Sequence, residues 1–413
     1  MTPAVTSAPP RRRLSALVVN YNTGTFAEVA IASLRCEWIA EGRHPDDLEV
    51  ILVDNASPRD QTEPLERMER HGVRVLRSDS NLGYAGGMNL AYSHSTGDSA
   101  DVVAVLNPDL YFLPGSLSKL FDFVADNPDI GAADPRTYFD PGKVLHLPRN
   151  LLPTLWEHVF ITGSLRFKSI LRWYTKKRTR LAAQWWTATD VVDSDMLSGC
   201  CVFLRREVID RLGMLMDDRF PLYYEDTDLF RRVRRLGLRV VHQVHAEVLH
   251  HWSRSSGIGA AFEGEPRKRQ LAAARVYYAK YYGPIGGKIA DWITAKGQIW
   301  GSRGGVPLHD CIELGPLADP PRIAWDRERD VILEVGLLSN WLLSAGIVVH
   351  GAAWVCPLES WEWFFEGAYF VRALDQKTGA MLGAWSFTKC TPGRNHPLPA
   401  PLPPTRAVEG AAR

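Results

Sequence analysis

Three short apolar runs, each followed at once by polar residues, constrain the fold more than any other feature of the chain. Residues 14–20, 48–53 and 102–106 are dominated by Val, Leu, Ile and Ala. Apolar runs of this length predict strands that are buried on both faces of a parallel sheet. Segments with helical periodicity separate the runs, so the sequence predicts a doubly wound α/β sheet.

The polar residues that end these runs mark the expected binding edge of the sheet. Asn20 and Tyr21 end the first run, Asp54 ends the second, and Asn107 and Asp109 follow the last. Ligands of such sheets bind at the carboxyl ends of the strands. An Asp at that position suits a divalent ion that carries phosphates, because Mg²⁺ needs only one or two protein carboxylates. The alternative is that 107–109 only form a turn.

A glycine-rich segment lies between the second and third of these runs. Gly83, Gly86 and Gly87 follow Asn81 and precede a helix that we expect over residues 88–94. Three glycines in five residues allow a backbone to approach a ligand closely. Taken alone, such a loop is a weak signal of phosphate binding.

An acidic cluster begins a later amphipathic helix. Glu225, Asp226 and Asp228 precede apolar residues at helical spacing, and Gly237 ends the pattern. Carboxylates at a helix start are stabilised as anions. Beside the aromatic residues of 220–224 they suit a general base or a group that binds sugar hydroxyls. The alternative is that they only cap the helix.

A histidine pair ends another predicted strand. His250 and His251 are followed by Arg254 and three serines. A single histidine is more often structural, but this combination at a strand end favours a phosphate or metal site.

Two segments raise the question of membrane contact. Residues 151–180 mix aromatic and aliphatic residues with seven lysines and arginines, a pattern typical of a helix on an anionic membrane surface or of a basic helix packed on the core. Residues 335–356 are long enough to span a membrane, but they contain three glycines and no flanking basic cluster. We therefore favour a small β-sandwich over residues 310–392.

Composition narrows the classes of function. The net charge of +1 argues against a nucleic-acid-binding protein. The six cysteines form no Cys-x-x-Cys pair, which fits free thiols in a reducing cytoplasm. We expect a disordered N-terminus at 1–13, a main domain at 14–285, a linker at 286–309, the β domain at 310–392 and a disordered tail at 393–413.

Taken in order, these motifs resemble the GT-A fold of family 2 glycosyltransferases, in the rhamnosyltransferase-like branch. The resemblance rests on residues 18–22, 53–57, 81–89, 106–109, 198–199 and 225–229, and it covers residues 14–285. It implies a Rossmann-like nucleotide-sugar domain and an inverting transfer from a nucleotide-diphosphate donor, dTDP-rhamnose or a UDP-sugar, aided by Mg²⁺ or Mn²⁺. The implied acceptor is a glycan or a lipid-linked glycan at the inner face of a bacterial membrane, with peripheral contact through 151–180.

The resemblance also implies roles for single residues. Asp54, with Asn20 and Tyr21, would hold the nucleotide, and Asn81 and Gly86 would line the nucleotide and the donor sugar. Asn107 and Asp109 stand where the family has an Asp-x-Asp metal motif, so Asp109 is the expected metal ligand and His250 would complete the site. Asp226 would be the catalytic base, and Glu225 would bind acceptor hydroxyls.

Two other functions deserve comparison. A nucleotide-sugar pyrophosphorylase would need a glycine-rich, basic first loop for a triphosphate, and residues 20–22 have neither property. A non-catalytic carbohydrate-binding or assembly protein would account for the tryptophans after residue 340, since tryptophan stacks on sugars. The presence of both Asp109 and Asp226 favours the enzyme.

Overall fold

The computed structural model describes residues 12–99, 101–220, 223–251, 265–301, 310–394 and 396–401. Residues 1–11 of the predicted N-terminal segment 1–13, and most of the predicted tail 393–413, lie outside these described residues. The strands are β1 (Leu14–Asn20), β2 (Leu48–Asp54), β3 (Arg74–Arg77), β4 (Val102–Leu106), β5 (Leu110–Phe112), β6 (Ile130–Tyr138), β7 (Val192–Asp193), β8 (Cys201–Arg205), β9 (Arg239–His250), β10 (Ile312–Leu317), β11 (Arg322–Gly336), β12 (Ser344–Val355), β13 (Gly367–Asp375) and β14 (Met381–Lys389). The helices are α1 (Gly24–Ala40), α2 (Thr62–Arg70), α3 (Gly83–Ser93), α4 (Ser116–Asp126), α5 (Leu155–Ser164), α6 (Lys168–Trp186), α7 (Arg206–Leu212), α8 (Glu225–Arg235), α9 (Glu265–Gly301) and α10 (Leu358–Trp361), with a 3₁₀ helix at Pro45–Asp47.

The first nine strands form one mixed sheet in the order β3-β2-β1-β4-β8-β6-β9-β5, with β7 beside β9. Strands β3, β2, β1 and β4 are parallel, which confirms the strands that the apolar runs predicted. Strand β8 runs antiparallel to both β4 and β6. The sheet is parallel from β3 to β4 and again between β6 and β9, and β9 brings residue 250 back to the edge where β4 ends.

Helices cover both faces of this sheet, as a doubly wound α/β fold requires. Alternate residues of β1 show the two layers: Leu14, Ala16 and Val18 pack against α1, α2 and α4, whereas Leu17 and Val19 pack against α3, α7 and α8. The strands are buried on both faces because each helix turns its apolar side toward the sheet. The predicted α/β class is confirmed.

The glycine-rich segment is not a loop. Helix α3 begins at Gly83, five residues before the predicted start, so Gly86 and Gly87 lie inside the helix. A Cβ on Gly87 would lie 2.8 Å from the side chain of Val19 on β1. Gly87 therefore allows the helix to approach the strand closely, and the predicted helix start at residue 88 is corrected to Gly83.

The C-terminal strands form a separate sheet in the order β10-β14-β13-β11-β12. Its strand pairs are antiparallel except β10–β14. Residues 335–356, which could have spanned a membrane, instead form the end of β11, a turn and strand β12. Within the described residues this β domain is one sheet rather than two stacked sheets, so its second layer comes from elsewhere in the chain.

The two faces of the C-terminal sheet pack against different parts of the chain. Val331, Leu333 and Val335 point toward a core that includes Phe139 and Leu145 of the first domain. The opposite face packs on α6, where Arg372 pairs with Glu334 in the interior. The C-terminal sheet is thus held between α6 and the segment after β6.

Helix α9 corrects the predicted linker. Helix α9 breaks at Gly283, whose φ of +72° and ψ of 178° are not helical. Residues 286–301, however, continue as a second helical segment rather than as a linker. Residues 151–180 form α5 and the first part of α6. Among the described helices, none combines the length and the apolar character that crossing a membrane requires.

Candidate active site

The ends of β1 and β2 form the first part of the site. Asn20 and Asp54 are partners in the strand register, and Nδ2 of Asn20 donates to Oδ1 of Asp54 at 2.7 Å. Oδ1 of Asn20 accepts from the backbone N–H and the hydroxyl of Thr23. The hydroxyl of Ser57 also donates to Asp54, at 2.6 Å. These bonds orient the half-buried Asp54 carboxylate beside the half-buried Tyr21.

Asn55 joins Asn81 to this edge, a role that the sequence analysis missed. Nδ2 of Asn55 donates to Oδ1 of Asn81 at 3.3 Å and to the carbonyl of Gly83 at 3.0 Å. Its Oδ1 accepts from the backbone of Leu82 at 2.9 Å. The start of α3, with Gly86 in its first turns, is therefore tied to the end of β2.

A second group lies where β4 and β9 end. Oδ1 of Asp109 lies 3.2 Å from Nε2 of His250, and Nδ2 of Asn107 lies 3.3 Å from the same nitrogen. Asp109 and His250 are buried. Burial alone would raise the pKa of Asp109, but the neighbouring imidazole groups of His250 and His251 hold it below its ordinary value. The structure thus brings together all three residues that the sequence predicted for this position.

The Asp109–His250 pair could provide one carboxylate and one imidazole to a divalent ion. No cluster of three or more His, Cys, Asp or Glu side chains suited to a metal occurs among the described residues. Mg²⁺ and similar ions are commonly bound through one or two protein groups, with phosphate oxygens and water completing the shell. The pair therefore fits a metal that is held jointly with a diphosphate, and it does not form a closed protein cage.

Glu225 and Asp226 begin α8, after two residues with unusual backbone angles. Tyr223 and Tyr224 have φ values of +66° and +70°, a conformation that costs free energy for residues with a side chain. Glu225 is buried, and among the described residues its Oε2 has no hydrogen-bond partner. Oδ1 of Asp226 accepts from the backbone N–H of Thr227 at 2.6 Å. Backbone strain and an unpartnered buried carboxyl group together are typical of a functional site.

The two carboxyl groups have perturbed acidities. Burial, and next the adjacent Asp226, raise the pKa of Glu225 to about 8. Burial also raises the pKa of Asp226, although the Thr227 hydrogen bonds oppose that change. Two neighbouring buried acids of this kind can hold one proton and one charge near neutral pH.

Asp228, the third acid of the cluster, is structural. It is fully buried and accepts from Nε of Arg232 at 2.7 Å and from the hydroxyl of Tyr281 at 2.6 Å. Nζ of Lys280 lies 2.5 Å from Oδ1, the oxygen that also accepts from Tyr281. Asp228 therefore fixes α8 to α9, and the sequence alone gave no sign of this difference from Glu225 and Asp226.

Tyr84 lies between the two acidic groups. Its hydroxyl donates to Oδ1 of Asn107 at 3.0 Å. Burial, followed by the charges of Glu225 and other acidic groups that include Asp226 and Asp109, raises its pKa well above the ordinary value. Tyr84 therefore bonds Asn107 and lies within electrostatic range of Asp109 and of the Glu225–Asp226 pair.

The turn before β8 touches Asp226 directly. A Cβ at Gly199 would lie 2.8 Å from both Cβ and Oδ2 of Asp226. The preceding residue, Ser198, donates its backbone N–H to Oδ2 of Asp134 at 3.0 Å. Asp134 pairs with His242 at 2.7 Å, and Trp185 stacks on that imidazole at 3.8 Å. This buried Asp134–His242 support was not evident from the sequence.

Some predicted neighbours of the site cannot be placed. Pro221 and Leu222, before the acidic cluster, lie outside the described residues, as do Arg254 and the serines that follow His251.

An α/β sheet whose strand ends carry Asp54, a candidate metal pair and an acid pair is the arrangement expected of a glycosyltransferase. Residues 15–213 match the family model described as Glycosyl transferase family 2. N-acetylglucosaminyl-diphospho-decaprenol L-rhamnosyltransferase of Mycobacterium tuberculosis (strain ATCC 25618 / H37Rv) is 31% identical over 253 residues, which cover 59% of this chain and 78% of that protein. The chain belongs to glycosyl transferase family 2 and is rhamnosyltransferase-like.

Other similarities are more distant. O-antigen biosynthesis protein RfbC of Myxococcus xanthus is 28% identical over 232 residues, which cover 55% of this chain and 16% of that protein. Among solved structures, the mannosyltransferase PcManGT from Pyrobaculum calidifontis, in complex with GDP-Man and Mn²⁺, is 15% identical with a TM-score of 0.41, covering 72% of this chain and 78% of that one. Similarity at this level decides nothing about the site.

Proposed function

We propose that this glycosyltransferase is metal-dependent and inverting, and that it moves a sugar from a nucleotide-diphosphate donor to a glycan or lipid-linked acceptor in bacterial polysaccharide synthesis. The observation that carries the proposal is the arrangement around Tyr84, where a carboxylate–imidazole pair and a carboxyl pair approach one side chain. We propose residues 14–285 as the catalytic unit and residues 310–392 as a supporting domain.

The donor would lie along the edge formed by Asn20, Asp54 and Asn81. Asp54 is oriented by Asn20 and Ser57, so its outer oxygen can accept from a base or a ribose hydroxyl. The donor diphosphate would extend toward Asn107 and Asp109. A divalent ion on Asp109 and His250 would take up the negative charge that develops on the leaving diphosphate.

Glu225 and Asp226 would act on the acceptor. Inversion needs one base that removes a proton from the acceptor hydroxyl, and it needs no covalent nucleophile. Asp226 accepts a backbone hydrogen bond that favours its charged form, so Asp226 is the proposed base. Glu225, whose pKa is raised to about 8, would remain protonated near neutral pH and donate to another acceptor oxygen.

The donor sugar and the acceptor follow from similarity rather than from the site. The mycobacterial relative is described as a rhamnosyltransferase that acts on a diphospho-decaprenol-linked sugar. This favours dTDP-rhamnose over a UDP-sugar as donor and a lipid-linked glycan as acceptor. Such an acceptor would bring the protein to the cytoplasmic face of a membrane, with peripheral contact through residues 151–180.

The test is release of nucleoside diphosphate from a panel of nucleotide sugars with Mg²⁺, Mn²⁺ or EDTA. We expect release from one donor, dependence on the metal and loss of release in Asp109→Ala. An anomeric analysis of the product by NMR tests inversion. Failure to bind or cleave any nucleotide sugar would support the non-catalytic carbohydrate-binding alternative.

A further inference from the structure

Helices α5 and α6 and the second half of α9 pack together as one three-helix layer. Nε2 of His158 on α5 lies 2.9 Å from the hydroxyl of Thr294 on α9. The rings of Phe160 and Trp173 join α5 to α6 with centroids 4.8 Å apart. Phe167, just before α6, meets Trp300 at the end of α9 at 5.9 Å. The three segments therefore form one surface.

The outer side of α9 carries a stripe of large apolar residues. Ile285, Ile289, Trp292 and Ile299 follow helical spacing, and they are 75%, 45%, 63% and 48% exposed. The inner side of the same helix is built from small residues, where a Cβ on Gly297 would already lie 3.3 Å from Thr162 of α5. An apolar stripe at the spacing of a core face, but turned to solvent, indicates a surface that is covered in use.

The apolar surface continues onto the other two helices. Trp156 on α5 is 73% exposed, and Trp173 on α6 is 51% exposed. Val159 and Phe167 are exposed as well. Together with the α9 stripe, these residues place three exposed tryptophans on one helical layer.

The same layer is strongly basic. Glu157 is the only acid between residues 155 and 186, and it is buried with Tyr174 and Lys177 as partners. The exposed cations include Arg166, Lys168, Arg172, Lys176, Arg180 and Lys288. Two cationic side chains of this layer lie over exposed rings. Lys296 is 5.7 Å from the centre of the Trp292 ring, and Arg166 is 5.5 Å from the centre of the Phe167 ring. Long cationic side chains over apolar surface are typical of a membrane interface.

We propose that this basic aromatic surface, formed by α5, α6 and residues 285–299, docks on an anionic phospholipid bilayer. Charge selects this occupant. A second copy of the chain would bring the same cations against each other, which is repulsive, whereas anionic lipid headgroups attract each exposed Lys or Arg. Four of the eight exposed apolar residues named above lie in residues 285–299, a segment that the sequence analysis assigned mainly to a linker.

The docking surface is connected to the proposed active site through α9. The segment of α9 before Gly283 holds α8 through Lys280 and Tyr281, both of which contact Asp228. Glu225 and Asp226 begin that same α8. If the acceptor is lipid-linked, which rests on the proposed function, the surface would hold the acid pair beside the membrane that carries the acceptor.

The test uses the full chain and vesicles of phosphatidylcholine with or without phosphatidylglycerol, separated by flotation. We expect binding to the anionic vesicles only, with loss at high salt. The variant Trp156→Ser/Trp292→Ser should no longer float. Removing three cations in Lys168→Gln/Arg172→Gln/Lys288→Gln should weaken binding about 100-fold, since each cation near an anionic surface contributes about a fivefold factor. The control Leu337→Ser/Leu338→Ser removes two exposed apolar residues of the C-terminal sheet and should float as the unchanged chain does.

Three outcomes would overturn the proposal. The unchanged chain could fail to float, or the tryptophan variant could float as well as the unchanged chain. The third is that light scattering shows a dimer of the unchanged chain and a monomer of the tryptophan variant. Vesicle binding is measured without any substrate. A chain that floats but cleaves no nucleotide sugar would therefore disprove the proposed function and leave the docking surface in place. A chain that cleaves a nucleotide sugar but does not float would disprove the docking surface and leave the proposed function in place.

Discussion

Trp363 of the C-terminal domain lies flat on His251, with ring centroids 4.0 Å apart and ring planes 5° from parallel. His251 follows His250 directly, and its backbone N–H donates to the carbonyl of Asp109 at 3.0 Å. Both rings are buried. The C-terminal domain therefore supports the backbone that carries the proposed metal pair, which gives that domain a role in the site as well as in packing.

Replacing Trp363 should weaken metal use more than a comparable change elsewhere in the same core. Trp363→Ala removes the ring that holds His251, and loss of a buried tryptophan costs about 3 to 5 kcal/mol of folding free energy. We expect a higher Mn²⁺ concentration for half-maximal donor cleavage, together with a lower Tm. Trp363→Phe should restore most of the metal response.

The matched control is Trp361→Ala, which empties a neighbouring site in the same hydrophobic core. It should lower the Tm similarly and leave the Mn²⁺ response unchanged. An equal Mn²⁺ shift in both variants would show that the effect of Trp363 is one of stability alone.

Adding a single methyl group at Gly199 should displace the proposed base. The Cβ of Gly199→Ala would lie 2.8 Å from Asp226, closer than real Cβ contacts allow. A displacement of about 1 Å at a reacting group can lower kcat by about 100-fold. Steady-state kinetics should show the loss in kcat, with the KM for the donor nearly unchanged because Gly199 lies beside the proposed base and not among the residues proposed to bind the donor. Gly163→Ala on α5, which meets only the flexible end of Ile170, should keep full activity.

The sequence predicted the parallel half of the first sheet well because apolar runs and polar strand ends are local signals. Asn20, Asp54, Asn107 and Asp109 all lie at the edge where the strand ends predicted them. The pairing of Asp109 with His250 depends on β9 returning beside β5, and that order of strands is not encoded in any local pattern. The family resemblance, rather than periodicity, suggested that pair.

Other features could not be predicted because they depend on tertiary contacts. Asp228 carries the same local signal as Glu225 and Asp226, and only the approach of α9 shows that it is structural. The glycines at 86 and 87 look like part of a loop, yet a Cβ on Gly87 would meet Val19 of β1 and a Cβ on Gly86 would meet Leu82, so both act in packing the start of α3. Asp134 and His242 lie 108 positions apart and meet only through the pairing of β6 with β9.

Breaking the buried Arg372–Glu334 pair should destabilise the packing of the C-terminal sheet against α6. Arg372 donates to Glu334 at 2.7 Å and to the Thr179 hydroxyl at 2.8 Å, and Ser344 donates to the other Glu334 oxygen. Arg372→Met leaves the Glu334 charge buried without its cation, which costs about 3 to 5 kcal/mol. Chemical denaturation followed by far-UV circular dichroism measures the loss.

The double variant Arg372→Met/Glu334→Leu provides the control for charge. It removes both ions and keeps apolar volume, so it should be more stable than Arg372→Met alone. If the double variant were less stable than the single one, the pair would be acting mainly through its shape and not through its charge balance.

Replacing Glu225 should change how the stability of the fold depends on pH. The pKa of Glu225 is raised from 4.5 to about 8 in the folded protein, so the folded state binds this proton more tightly than the unfolded state does. The protonated Glu225 therefore stabilises the fold fully below about pH 4.5, and this contribution is lost as the pH rises through about 8. Glu225→Gln cannot ionise, and we expect it to exceed the unchanged chain in unfolding free energy by about 2 to 4 kcal/mol at pH 9, with little difference at pH 4.

The dependence of kcat on pH in two variants can show which member of the Glu225–Asp226 pair is the base. Glu225→Gln keeps a hydrogen-bond donor, so it should retain most of kcat near pH 7 and lose the decline above about pH 8 that we expect of the unchanged chain. Asp226→Asn removes the proposed base and should lower kcat by about 10³-fold at every pH, a typical effect of losing general base catalysis. If Glu225→Gln instead caused the larger loss, the base would be Glu225, because its unpartnered Oε2 would then be the oxygen that takes the acceptor proton.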